Sequence, residues 1–140
     1  MSIIQHSMLK YMFIFGAILD GLVAVSWFLI ASGFQIPNIL NGHTGTGTDF
    51  QIAMYAAAMF MAGWTVLLAW GALKPLERRD LLLITGGLLI LSVIFEPILF
   101  KSLRGEFWFI FGETKRTVLA IIAIAIYFYS FKNSENQKNI

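Results

Sequence analysis

Four long runs of apolar residues dominate the sequence and restrict the folds that it can adopt. The first three runs cover residues 11–31, 50–73 and 81–100, and the fourth covers residues 117–131. Each of the first three contains at least 20 residues and no more than one charged residue. Because an α-helix of about 20 apolar residues spans the hydrocarbon core of a bilayer, the pattern predicts an integral membrane protein with one helix per run.

The overall composition agrees with a chain that lies mostly in lipid. Hydrophobic residues make up 58% of the chain and charged residues 13%, whereas soluble domains average about 45–50% apolar and about 25% charged. This composition excludes a disordered chain, a coiled coil and an ordinary cytosolic enzyme. The net charge of only +2 gives no basic surface for nucleic acid. The absence of cysteine from the sequence excludes disulfides and thiol chemistry.

The apolar runs are typical of helices and not of the strands of a membrane barrel. Barrel strands alternate apolar and polar residues, but these runs are apolar on every face, and Pro97 lies within the third. The first run also differs from a signal peptide, whose apolar region is about 7–15 residues long. It is longer than that and carries Asp20 at its middle, so we expect it to remain in the protein as a membrane helix.

These features predict an all-α fold, in which a single transmembrane domain of residues 1–140 forms an antiparallel four-helix bundle. The predicted helices cover about 11–31, 50–73, 81–100 and 114–131. The start of the fourth helix stays open between Phe107 and Thr117, because its uncharged part has only 15 residues.

Basic residues near the ends of the runs predict the orientation, because cytoplasmic loops carry an excess of Lys and Arg. Six of them lie on the side of the two termini: Lys10, Lys74, Arg78, Arg79, Lys132 and Lys138. Four lie on the opposite side: Lys101, Arg104, Lys115 and Arg116. The excess predicts that both termini lie in the cytoplasm.

Asp20 is the first candidate site residue. A charged side chain at the bilayer centre costs about 2.5–3.5 kcal/mol unless it is shielded, so Asp20 is expected to face the other helices. Counting about 1.5 Å per residue places Trp64, Thr65 and Ser92 at the same depth, where their N–H and O–H groups could donate to the carboxylate. The group is predicted as a proton or ligand site, or alternatively as a hydrogen-bonded packing residue.

A second set of charged residues is predicted nearer the opposite membrane surface. Glu96 and Arg116 share a layer and could form an intramembrane ion pair, with Glu113 three residues from Arg116 on the same helix. A structural tie between helices is favoured over a functional role. The alternative is that Arg116 and Lys115 extend to the lipid headgroups.

The sequence favours a non-catalytic role without a metal or cofactor. No second catalytic group shares the depth of Asp20, and no HExxH motif or Ser/His/Asp set at a common depth is present. His43 and Asp49 are too few to make a zinc site. The sequence therefore predicts no catalytic residue, no metal site and no cofactor.

Two stretches of the first 85 residues resemble a known group of proteins. They are FGAILDGLVAV around Asp20, and the segment from Ala53 to Thr85 that contains Gly-Trp-Thr and Lys-Pro-x-Glu-Arg-Arg. They are similar to small prokaryotic four-span membrane proteins of unassigned function. The matching residues are Asp20, Gly63, Trp64, Thr65, Lys74, Pro75, Glu77, Arg78 and Arg79. The resemblance implies a multi-pass protein of a bacterial or archaeal inner membrane with Asp20 near Trp64, and it implies no activity.

Two functions of different classes follow from these observations. The first is a membrane protein of unknown activity with a buried acidic site, which binds a lipid-like ligand or serves as a structural subunit. The alternative is a proton-coupled transporter of small molecules that uses Asp20 as the carrier. A membrane enzyme that uses Asp20 or Glu96 ranks last. The expected partners are membrane lipids and a second copy or a larger membrane complex, and not nucleic acid.

Overall fold

The protein is a set of four helices joined by loops, of which the longest covers residues 32–47. The computed structural model describes residues 3–40, 42, 44–101 and 104–136, with side chains described between residues 6 and 130. Within those ranges it contains four α-helices and no strand, which confirms the all-helical fold predicted from the apolar runs. The helices are α1 (Ile3–Ala31), α2 (Thr48–Leu73), α3 (Asp80–Leu99) and α4 (Phe107–Asn136).

Three helices are long and apolar enough to cross a membrane, when the part of the chain that the structure describes is considered. They are His6–Ala31, Thr48–Leu73 and Asp80–Leu99. The fourth helix is longer than α3 but carries Glu113, Lys115 and Arg116 within four residues of one another. Its ability to cross a membrane therefore depends on how those charges are paired.

The helix bounds differ most from the predicted ones at α1 and α4. The predicted helix at 11–31 begins at Ile3, because the polar residues before Tyr11 include neither proline nor glycine. The predicted helix at 114–131 runs from Phe107 to Asn136. The open choice for its start is thus settled at Phe107, and charged residues lie inside the helix instead of in a loop.

Local sequence explains the ends of α2 and α3. Gly47 precedes α2 with φ of +94°, a conformation that glycine adopts readily. Asp49 and Asp80 lie in the first turns of α2 and α3, where a carboxylate interacts favourably with the helix dipole. Pro75 follows the end of α2 and cannot continue its hydrogen bonding.

The helices are arranged as two antiparallel pairs. α1 packs along α2 and α3 packs along α4, whereas the contacts of α1 with α4 and of α2 with α3 are few. The two pairs therefore meet mainly at their ends, and a space remains between them.

One end of the structure, next to the α2–α3 loop, is filled by apolar side chains. We call this cluster the apolar end, and its members are Leu9, Phe13, Leu68, Ala72 and Leu82. The ring of Phe13 is fully buried and lies against Gly71, where a Cβ atom would come within 2.6 Å of the ring. Glycine at position 71 thus lets α1 and α2 approach closely.

Candidate functional site: a cavity between the helix pairs

A cavity of about 490 Å³ lies in the space between the two helix pairs. All four helices and the α1–α2 loop contribute to its walls, and most of the lining side chains are aliphatic or aromatic. Four lining residues have polar or charged side chains that are not aromatic: Asp20, Thr85, Ser92 and Arg116. Apolar walls with a few polar groups are typical of small-molecule sites, whose volumes are about 300–1,000 Å³.

Large side chains line the cavity towards both ends of the helices. Leu68 and Leu82, which belong to the apolar end, line it on one side. Trp27 of α1 and Leu40 of the α1–α2 loop line it towards the opposite end.

The cavity has exposed side chains in its walls near the middle of three helices. Phe15 of α1, Phe60 of α2 and Leu88 of α3 line it, and they are 50%, 82% and 52% exposed. The contacts between the two helix pairs are few. The cavity is therefore accessible from the side of the helices, through the seams between the pairs.

Asp20 lies in the wall of this cavity, near the middle of α1, and is half-buried. The register of α1 against α2 places it level with Trp64, because Gly16 lies against Leu68 and Gly21 against Thr65. Both glycines allow a close approach, with Cβ positions 3.1 and 3.5 Å from those side chains. The structure therefore brings Asp20 and Trp64 to one level of the cavity, as counting residues predicted.

The carboxylate of Asp20 has no hydrogen-bond donor or cation as a partner among the residues whose side chains are described. The prediction that nearby hydroxyls donate to it is wrong. Thr65 Oγ1 donates to the carbonyl of Met61 at 2.9 Å, and Ser92 Oγ donates to the carbonyl of Leu89 at 2.8 Å. Hydroxyls in a helix readily satisfy their donor on the preceding turn, so they are not free for Asp20.

The predicted site residues therefore do not form one constellation. Trp64 and Ser92 line the cavity together with Asp20, whereas Thr65 does not and packs its methyl group towards Gly21. The space between these side chains is open and is large enough for a ligand.

Arg116 holds the second predicted group together. It donates through Nη1 to Glu96 Oε1 on α3 and through Nη2 to Glu113 Oε1 on its own helix, the latter at 3.2 Å. Its Nε donates to the carbonyl of Gly112 at 3.3 Å. Arg116 is buried and lines the cavity, so it does not extend to the headgroups as the alternative prediction had it. Lys115 lies 4.5 Å from the centre of the Phe111 ring.

The acidic groups near Arg116 outnumber the basic ones. Two carboxylates share one guanidinium group, and Glu113 Oε2 is buried without a hydrogen-bond partner within the described part of the protein. With Asp20 added, the ionisable groups that line the cavity or contact Arg116 comprise three carboxylates and one cation.

The α1–α2 loop closes the cavity through Asn38, a residue that the sequence reasoning missed. Its Oδ1 accepts from Trp27 Nε1 at 3.1 Å and from the backbone N–H of Leu40 at 2.9 Å. Gly42 lies against the Trp108 ring and has φ of +71°, a conformation that favours glycine. A Cβ atom at this position would lie 2.6 Å from the ring, so no larger residue fits there. The pattern of a glycine- and threonine-rich loop gave no signal for these contacts.

We call the group of Asn38, Glu96, Glu113 and Arg116 the polar end of the structure. His43, which belongs to the same loop, lies outside the described residues. Among the residues that were placed, no group of three or more His, Asp or Glu side chains could hold a metal ion.

Comparison with known proteins gives no relative: no family model matches the sequence, and neither a curated protein nor a solved structure is detectably similar to it. The resemblance to small prokaryotic four-span proteins therefore stays a prediction.

Proposed function

We propose that the protein is a multi-pass integral membrane protein that binds an apolar, lipid-like molecule in the cavity between its helix pairs. The observation that carries this proposal is the cavity itself, which has mostly apolar walls and is accessible from the side of the helices through exposed lining residues. In a bilayer, the sides of the helices face the acyl chains. A ligand that reaches the cavity by this route must first be dissolved in the lipid.

The proposal includes four membrane crossings in an antiparallel bundle. α1, α2 and α3 are apolar enough to cross by themselves. The crossing of α4 is supported by the pairing of its buried Arg116 with Glu96 and Glu113, because paired charges facing a bundle interior are tolerated in lipid. Both termini are placed in the cytoplasm by the excess of basic residues on their side. The resemblance favours a bacterial or archaeal inner membrane.

Labelling of single cysteines tests this topology, since the natural sequence contains none. With an impermeant thiol reagent on intact cells, we expect Thr46→Cys and Gly105→Cys to react. Glu77→Cys and Ser134→Cys should react only after the membrane is permeabilised. If Ser134→Cys reacts in intact cells while Glu77→Cys does not, α4 does not cross and the four-crossing arrangement is wrong.

Filling the cavity tests the binding function. Ala57 lines the cavity and is half-buried, whereas its neighbour Ala56 is exposed on the outer face of the same helix. Ala57→Phe should abolish retention of lipid-like molecules by the protein, and Ala56→Phe should retain them, when native mass spectrometry is performed on detergent-extracted protein. Equal retention by both variants would refute binding in the cavity.

The same spectra report whether the protein is a monomer, a homodimer or part of a larger complex.

Proton-coupled transport is the second candidate function, and one observation favours it. Asp20 lies in the cavity wall without a partner in the described part of the chain, and an unpaired carboxylate within a membrane protein is a typical proton carrier. Transport predicts that Asp20→Asn abolishes proton-driven flux in proteoliposomes while the protein still folds. Unchanged flux in that variant would exclude this function.

A further inference from the structure

We infer that the ligand is a cationic amphiphile, such as an alkylamine, whose ammonium group binds between Asp20 and Trp64 while its alkyl chain fills the apolar part of the cavity. This inference rests on the proposed binding function and specifies the chemical class of the ligand.

The first observation is the unpaired carboxylate. Asp20 lies in the wall of an otherwise apolar cavity, and within the described side chains no donor or cation satisfies it. A charge in such surroundings is stabilised by an opposite charge that makes a hydrogen bond to it. An ammonium group supplies both the charge and the donors.

The second observation concerns Arg116, the cationic side chain that lines the cavity. An anionic lipid headgroup would bind best to a guanidinium group without carboxylate partners. Three of the five N–H groups of Arg116 already donate to protein oxygens: Nη1 to Glu96, Nη2 to Glu113 and Nε to the Gly112 carbonyl. Two carboxyl groups thus already face its single positive charge, which disfavours a further anion. The charges around the cavity therefore select against fatty acids and phospholipid phosphates.

The third observation is the position of the aromatic rings. Trp64 is level with Asp20 on the facing helix, and Trp27 lines the cavity on the same helix as Asp20. The face of an indole attracts an ammonium group through a cation–π interaction. A carboxylate opposite an indole thus offers an ammonium group an ion-paired hydrogen bond and a cation–π contact, whereas a neutral alcohol makes only a hydrogen bond from an uncharged donor.

Three probes of equal chain length test the inference, namely dodecylamine, dodecan-1-ol and dodecanoate, each brominated on the alkyl chain. Bromine quenches the fluorescence of a contacting indole. The protein is studied in phosphatidylcholine nanodiscs as a Trp70→Phe/Trp108→Phe variant, so that the remaining indoles are Trp27 and Trp64, which line the cavity. Each probe partitions into the bilayer equally for all variants, so a difference between variants reports on the cavity.

We expect the amine to quench saturably with an affinity about tenfold or more above that of the alcohol, as for a hydrogen bond to a charged group. Dodecanoate should bind most weakly. Asp20→Asn should lower the affinity for the amine to that for the alcohol and leave the alcohol unchanged. Asp20→Glu should keep the preference, and so should the matched control Asp49→Asn, which removes an exposed carboxylate outside the cavity.

The inference is overturned if the unsubstituted cavity binds the amine and the alcohol with equal affinity, or if it binds dodecanoate more tightly than the amine. It is also overturned if the preference for the amine survives Asp20→Asn. If Asp20→Asn does not fold, Ala57→Phe, whose cavity is filled, gives the ratio of amine to alcohol quenching that the bilayer alone produces. The inference is overturned if the unsubstituted protein shows that same ratio. A different result marks failure of the proposed function: if no probe quenches saturably and Ala57→Phe changes nothing, the cavity binds no ligand of this kind.

Discussion

The two ends of this protein hold the same four helices together by different interactions. At the apolar end, Phe13 and its neighbours are almost completely buried and interlock with Gly71. At the polar end, Arg116 ties α3 to α4 through carboxylates, and Asn38 ties the α1–α2 loop to α1. Between the two ends, neither apolar packing nor polar pairing fills the space, and this unfilled space is the cavity.

On the membrane location that we propose, the difference shows what each interaction provides in lipid. Acyl chains are as apolar as leucine, so burial of apolar surface does not drive helices together there, and close van der Waals packing takes its place. The apolar end meets that requirement with a ring against a glycine. The polar end instead uses groups that cannot remain unpaired in lipid. The apolar end depends on the fit of a ring against a glycine, and the polar end depends on ion pairs and hydrogen bonds. Different substitutions should therefore destabilise the two ends.

The largest effect is expected from Arg116→Met, which retains much of the side-chain volume but leaves Glu96 and Glu113 facing each other without a cation. Removing one partner of a buried ion pair costs about 3–5 kcal/mol. We therefore expect a loss of this order in the free energy of unfolding, measured by denaturant titration in mixed micelles. Adding Glu96→Gln and Glu113→Gln to the variant should recover most of the loss.

The adjacent Lys115 provides the matched control for that substitution. Its ammonium group lies over the Phe111 ring and takes part in no ion pair that the described residues show. Lys115→Met should cost at most about 1 kcal/mol, the value of an exposed cation–π contact. If both variants lose the same stability, the polar end does not depend on the Arg116 pairs.

An intermediate effect is expected from Gly71→Ala at the apolar end. The added Cβ would lie 2.6 Å from the buried Phe13 ring, and overpacking of this kind costs about 1–3 kcal/mol. Gly63→Ala, on the same helix with nothing within 4 Å of the new Cβ, should instead stabilise the protein by roughly 0.5–1 kcal/mol, because alanine favours a helix.

A double variant sharpens the comparison. Phe13→Leu removes the ring that a Cβ at position 71 would meet, so the costs of Phe13→Leu and Gly71→Ala should be less than additive. Strict additivity in the same unfolding measurement would mean that Gly71 is not required for the approach of α1 and α2.

The fold could be predicted from the sequence because the length and apolarity of the four runs determine most of it. Runs of about 20 apolar residues predict the first three helices within a few residues at most ends. Counting residues also predicted the common level of Asp20 and Trp64, since the rise per residue is constant. The start of α4 was undecided because Arg116 can avoid lipid in two ways, by pairing or by extending to the headgroups. Which of the two occurs depends on how closely Glu96 on α3 approaches Arg116.

The cavity was not predictable, because it depends on distances between helices. A list of apolar residues does not say whether Phe60 and Leu88 are buried against other helices or line a cavity, and in the structure both are exposed and line it. The hydroxyls of Thr65 and Ser92 were assigned to Asp20 because depth alone was considered. Their own helices offer a carbonyl at hydrogen-bond distance, and this local acceptor receives the hydrogen bond of each hydroxyl.

The smallest effect is expected from Asn38→Ala in the loop that closes the polar end. The change removes the acceptor of Trp27 Nε1 and of the Leu40 N–H, and each hydrogen bond contributes about 0.5–1.5 kcal/mol. Because both bonds hold a loop, we expect that the free energy of global unfolding changes little. Local opening should increase instead, seen as faster hydrogen exchange of the Gly42 amide, which donates to the Asn38 carbonyl. Asn38→Asp keeps an acceptor oxygen and should exchange like the natural protein. If Asn38→Ala lowers global stability as much as Gly71→Ala, then the loop is part of the structural core, and the two ends do not differ in the way their interactions indicate.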